Sequence, residues 1–173
     1  MKKKILSSIT VVILLAESVY AGESYLGFGY AMLDNVGKND NGYLLDMGVR
    51  FGKKIKNRFG TEFTFTQTSD FDEGLGNYID FYYSLGYEVY RGVTLNANIG
   101  YAFEDIGTVQ IGSSKEESIY ATGMSYGVGA YYDFTHHISI GLEYKKYDLS
   151  YDVSSVSLDH DIESVGLKVF YNF

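Results

Sequence analysis

The chain contains no cysteine, no proline and no tryptophan. Without cysteine there is no disulfide framework, no Cys-ligated zinc site and no thiol nucleophile. Basic residues are scarce as well: 14 Lys and Arg stand against 22 Asp and Glu, for a net charge of −8. That balance argues against a nucleic-acid partner, whose phosphates demand a basic surface. What the 173 residues do contain is tyrosine and glycine, 18 and 20 of them. This is a strand-and-turn composition, and with 46% hydrophobic residues it is too apolar for wholesale disorder.

The start of the chain reads as an address. Lys2, Lys3 and Lys4 precede an apolar run from Ile5 to Ala16, and Val19-Tyr20-Ala21 offers small residues where a signal peptidase cuts. Twelve helical residues span about 18 Å, short of the roughly 30 Å hydrocarbon core, so the run is a cleaved secretory signal over 1–21 rather than an anchor. The remaining domain, 22–173, keeps 11 basic and 21 acidic residues.

No later stretch is a continuous apolar helix candidate. Instead, alternation with period two recurs in eight segments. The fifth is the cleanest: Val93, Leu95, Ala97, Ile99, Tyr101 and Phe103 alternate with Thr94, Asn96, Asn98, Gly100, Ala102 and Glu104. The connections alternate too. Lys53–Arg58, Arg91-Gly92 and Thr135–His137 are tight or basic, whereas 34–42, 69–77, 105–118 and 148–161 are long and acidic. An up-and-down sheet then has all long loops at one end and all tight turns at the other.

Size decides which face meets water. One face carries Phe, Tyr, Leu, Ile and Met, and the other carries many of the glycines with Ser, Thr and Asn. An eight-stranded barrel has an interior only just wide enough for its side chains, so the bulky face points outward, into lipid. Aromatics gather at both ends of the segments, as amphipathic rings do at bilayer interfaces. Phe51, Phe59, Tyr87, Phe134, Tyr171 and Phe173 form a girdle at the turn end. Tyr30, Tyr43, Phe65, Phe81, Tyr101, Phe103 and Tyr144 lie toward the loop end. The predicted fold is all-β: an eight-stranded antiparallel up-and-down transmembrane β-barrel.

The last segment runs Ser164, Gly166, Leu167, Val169, Tyr171 and a final Phe173. It resembles the C-terminal assembly signal of bacterial outer-membrane barrels, alternating apolar residues ending in an aromatic. With the eight segments, the whole domain resembles the small barrels of the OmpA transmembrane-domain, OmpX and opacity-protein superfamily. The resemblance implies a bacterial outer-membrane location with periplasmic termini, insertion by the barrel assembly machinery, and contact with outer-membrane lipid and lipopolysaccharide. It says little about function.

Charge placement suggests chemistry. The four long connections hold twelve acids and two bases, a rim suited to an extracellular cationic ligand or simply to staying soluble. On the inner face, Arg50 with Glu62 and Glu143 with Lys168 match in height and are expected to pair in the lumen. Unpaired burial of such ions costs several kcal/mol each. A monomer plugged by these pairs, with a structural or surface-contact role, is the expected reading; a narrow cation-preferring pore is the alternative. A lipid A-modifying enzyme is a third, resting on His137-x-Ser139, which superficially resembles the His-x-Ser of lipid A deacylases. His160 between Asp159 and Asp161 has the donor types for a metal, but a lone loop histidine among acids reads as solvated. No catalytic, cofactor or metal site is expected.

Overall fold

The computed structural model describes residues 22–35, 38–66, 76–111, 115–153 and 156–173; the expected signal segment, 1–21, and most of connection 69–77 lie outside them. Eight strands run in chain order: β1 (Glu23–Asn35), β2 (Lys38–Phe51), β3 (Ile55–Thr66), β4 (Asn77–Tyr90), β5 (Val93–Ile111), β6 (Lys115–Asp133), β7 (Ile138–Val153) and β8 (Val156–Asn172). Each pairs antiparallel with the next, and β8 returns to β1, so the sheet closes. Closure leaves no edge within the wall, which is the condition for a sheet in hydrocarbon. At the seam, the Phe173 N–H donates to the Ser24 carbonyl (2.8 Å) beyond the last β1–β8 register pair, Tyr25↔Asn172.

Glycine makes two of the tight turns possible. Gly52 and Gly92 have φ of 91° and 83°, a region L side chains rarely adopt. A Cβ on Gly52 would also strike the Ile55 carbonyl oxygen.

The period-two reading assigns faces as the wall displays them. Phe28, Phe59, Ile99, Leu142 and Val169 point outward and are exposed, while Asp46, Glu62, Asp80, Glu143 and Lys168 point inward and are buried. Two boundaries differ from expectation. β3 begins at Ile55, so Lys56 and Arg58 belong to the wall and face the interior rather than forming a turn. The long connections 34–42, 105–118 and 148–161 are mostly paired strand, since β5 and β6 run 19 residues each. A tilted strand needs only 9–11 residues to cross a bilayer. Backbone pairing therefore continues well past the point where the outward face stops being apolar.

There the alternation keeps its period and changes sign. Beyond Tyr144 on β7, Lys146 and Asp148 face outward while Tyr147 and Leu149 are buried inside. Ala31, Leu33, Leu44, Tyr78, Ala102, Ala121 and Ile162 join them in an apolar cluster, with Tyr78 and Tyr147 stacked at 5.8 Å. One part of the wall has rings outside and charge inside; the hairpin end has charge outside and an apolar cluster inside, beside the Glu104–His160 pair. The reversal marks where the surroundings change from lipid to water.

Candidate functional site: the charged interior

The interior below the apolar cluster holds a network of six ionisable residues from five strands. Lys145 on β7 reaches Asp80 on β4 (2.8 Å), Glu62 on β3 (3.0 Å) and its own strand's Glu143 (3.3 Å). Lys168 on β8 reaches Asp46 on β2 and Glu143 on β7, both at 3.2 Å, and also Glu62. Asp46, Glu62, Asp80, Glu143, Lys145 and Lys168 are each no more than 3% exposed. Hydroxyls complete the coordination: Tyr82 donates to Asp46 (2.8 Å), Ser125 to Asp80 (2.6 Å) and Tyr131 to Glu143. Charge-assisted bonds of this kind are about twice as strong as neutral ones, and buried charges persist only with such partners.

Toward the tight turns lies a second ionic ring. Arg50 bridges Glu23 (2.7 Å) and Asp133 (3.2 Å), and Lys56 meets Asp133 (2.5 Å) and Glu88 (3.6 Å). Between the rings sits Arg58, its guanidinium 3.9 Å from the Tyr131 ring centre, 4.9 Å from Phe170 and 5.6 Å from Tyr25. Its Nη1 has no hydrogen-bond partner among the described residues, so the ring faces supply the nearest compensation. Glycine shapes this cage. Tyr131 lies over Gly141, its cross-strand partner, and Phe170 lies over its partner Gly27; a Cβ on either glycine would overlap the ring.

The two expected lumen pairs fare differently. Glu143 and Lys168 meet, although they are offset by two residues in register, with Gly141 opposite Lys168. Arg50 and Glu62 do not meet. The β2–β3 register sets Arg50 opposite Arg58 and Glu62 opposite Asp46, four residues and about 13 Å farther along the strand. Lys145 and Asp80, together with Arg58, read as a turn residue, prove central. A signal for Arg58 existed: Lys56 and Arg58 share parity with Gly60 and Glu62.

His137 and Ser139 are not assembled as a catalytic pair. His137 is exposed, stacks on Tyr171 and places Nδ1 2.9 Å from the Asn172 carbonyl. Ser139 is buried and donates to Asp133 (2.6 Å). His160 is a strand residue rather than a loop residue. Its Nε2 lies 3.1 Å from Glu104 Oε2 inside the barrel, while Asp161 faces out to Lys146 (3.1 Å). Among the described residues no group of three or more His, Asp or Glu is placed to hold a metal ion.

The turn-end aromatics line the outside as ring pairs: Phe51 with Phe59 at 5.9 Å, Tyr132 with Phe134 at 4.7 Å and Tyr171 with Phe173 at 5.0 Å. Lys54 lies over the Tyr87 ring at 5.3 Å. At the other end Tyr30 meets Tyr43 (5.8 Å) and Phe103 meets both Phe81 and Tyr101, while Phe65 and Tyr144 are also exposed. In the terminal segment, Leu167, Val169, Tyr171 and Phe173 point outward and Gly166 faces in.

Solved structures share this architecture. The attachment invasion locus protein Ail of Yersinia pestis, solved with the heparin analogue sucrose octasulfate, matches with a TM-score of 0.58 at 20% identity, over 89% of this chain and 100% of that one. The N-terminal β-barrel domain of Pseudomonas aeruginosa OprF matches at 0.53 and 14%, over 88% and 99%. Neisserial surface protein A matches at 0.51 and 11%, over 88% and 97%. At such identities these likenesses show the fold alone. The comparison with curated proteins gives no match. The model of the outer membrane protein beta-barrel domain matches residues 7–173. The chain therefore belongs to the outer-membrane β-barrel family, a family of the bacterial outer membrane.

Proposed function

We propose that this protein is a non-enzymatic, plugged outer-membrane barrel whose role is structural or one of surface contact. The tight turns and both termini lie in the periplasm and the long hairpins lie outside. The observation that supports the plug is the two-lysine, four-carboxylate network. It draws side chains from β2, β3, β4, β7 and β8 across the interior, with an apolar layer on one side and the Arg58 cage on the other. An ion crossing this section must break several charge-assisted bonds in a low-dielectric interior.

The surface-contact half rests on the acidic hairpins. Ail was solved with an anionic heparin analogue. Here the four connections carry twelve acids and two bases, so charge complementarity selects a cationic partner instead.

Single-channel recording in planar bilayers tests the plug. The refolded barrel is expected to leave the membrane current at baseline. Regular, well-resolved conductance steps would replace the plugged reading with the cation-preferring pore.

A further inference from the structure

Beside Arg58, the inner face of β5 carries polar groups that the rest of the barrel leaves incomplete. Thr94, Asn96 and Asn98 are buried, as is Arg58 on β3. Each holds one side-chain atom without a hydrogen-bond partner among the described residues: Thr94 Oγ1, Asn96 Oδ1, Asn98 Nδ2 and Arg58 Nη1. Register brings the four together. Ser84 on β4 is the cross-strand partner of both Arg58 and Asn98. Tyr131, whose ring centre lies 3.9 Å from the Arg58 guanidinium, is the partner of Thr94. Asn96 donates to Ser84 (3.1 Å) and to Asn98 Oδ1 (2.7 Å), which leaves its own carbonyl and the Asn98 amide nitrogen over. On β6 the partners of Asn96 and Asn98 are Gly129 and Gly127, which set no side chain against them.

We propose that these four groups hold a buried cluster of ordered water on the β5 side of the lumen. Buried polar atoms are almost always paired, so four orphans in one neighbourhood imply a shared ligand. Their chemistry selects it. Arg58 Nη1 and Asn98 Nδ2 only donate, Asn96 Oδ1 only accepts, and Thr94 Oγ1 does either. A halide would suit the two donors but would be repelled by the Asn96 oxygen and by the nearby network, where four carboxylates face two lysines. A metal ion would suit the oxygens but would be repelled by the guanidinium. Water donates and accepts, makes about three such bonds when buried, and is small enough to sit against glycine. It also solvates Arg58, whose ring neighbours offer only their faces. The cluster requires neither the proposed orientation nor the plug.

A crystal structure of the refolded barrel grown in bromide, at a resolution that shows ordered water, tests this. The expected result is density about 2.7–3.2 Å from Arg58 Nη1, Asn98 Nδ2 and Asn96 Oδ1, without anomalous signal at the bromine edge. An anomalous peak there would make the ligand an anion. Bare side chains, or Arg58 Nη1 bonded to a protein acceptor, would remove the site. Either result overturns the assignment.

Urea titration read by gel mobility tests the same site in micelles. Arg58 Nη1 and Asn98 Nδ2 are both donors and cannot bond each other, so shared water is what couples them. Asn98→Leu is therefore expected to lower the unfolding midpoint in the native chain and to lower it less in an Arg58→Met chain. Heat-dependent mobility confirms that each variant is folded. Equal shifts in the two backgrounds would overturn the assignment.

Discussion

Lys145 Nζ lies 2.8 Å from Asp80 Oδ2, joining β7 to β4 through the interior although the two strands are three apart around the barrel. Both side chains are nearly inaccessible to water. The tie is a cross-brace, and its value depends on neither ion being left alone.

Replacing Lys145 with Met is therefore expected to destabilise the barrel by about 3–5 kcal/mol, because Asp80, Glu62 and Glu143 lose their shared cation. Urea titration followed by gel mobility measures this. Adding Asp80→Asn to the same chain is expected to recover part of the loss. A double variant less stable than Lys145→Met alone would show that the two residues are not coupled as described.

The ring-over-glycine arrangement makes a second prediction. In Gly141→Ala the new methyl group displaces the Tyr131 ring, which at once bonds Glu143 and faces Arg58. Overpacking of this kind costs about 1–3 kcal/mol. Gly141→Ala combined with Tyr131→Leu is expected to cost less than the two single changes added together. Strict additivity in the same denaturation assay would argue against the contact.

Outside the lipid-facing belt, Lys146 lies 3.0 Å from Asp148. Its ammonium, by hydrogen bonding, holds the Asp148 carboxyl below its ordinary value, assisted by the Tyr126 hydroxyl. A depressed carboxyl contributes stability above its unfolded titration range and loses it as pH falls through the folded one. Lys146→Gln is thus expected to move the Asp148 midpoint upward in a carboxyl NMR titration. The shift should shrink in molar salt, since the pair is exposed. A midpoint unaffected by the substitution would contradict this.

Faces were legible in the sequence because strand side chains alternate strictly, and eight segments agreed on one sign of burial. Register was less legible. Heights counted from an assumed turn misplaced Arg50 against Glu62, because the turn ends before Ile55 rather than after Arg58, and a shift of a few residues moves every cross-strand partner. Glu143 and Lys168 meet because a long lysine tolerates a two-residue offset. Hairpin extensions such as 148–161 looked like loops because their outward residues are charged. The apolar inward residues at and beside its ends, Tyr147, Leu149 and Ile162, carried the strand signal with its polarity reversed. The Lys145 to Asp80 tie and the Arg58 cage depend on the closed geometry of the barrel, which no local pattern encodes.

The reversal of wall polarity along β7 is the claim on which membrane placement depends. Nitroxide labels placed singly at Leu142, Tyr144, Asp148 and Ser150, all outward-facing, measure it directly in reconstituted bilayers. The account predicts collisions with oxygen at the first two positions and with a water-soluble nickel chelate at the last two. Chelate collisions at Leu142, or oxygen-dominated collisions at Ser150, would contradict it.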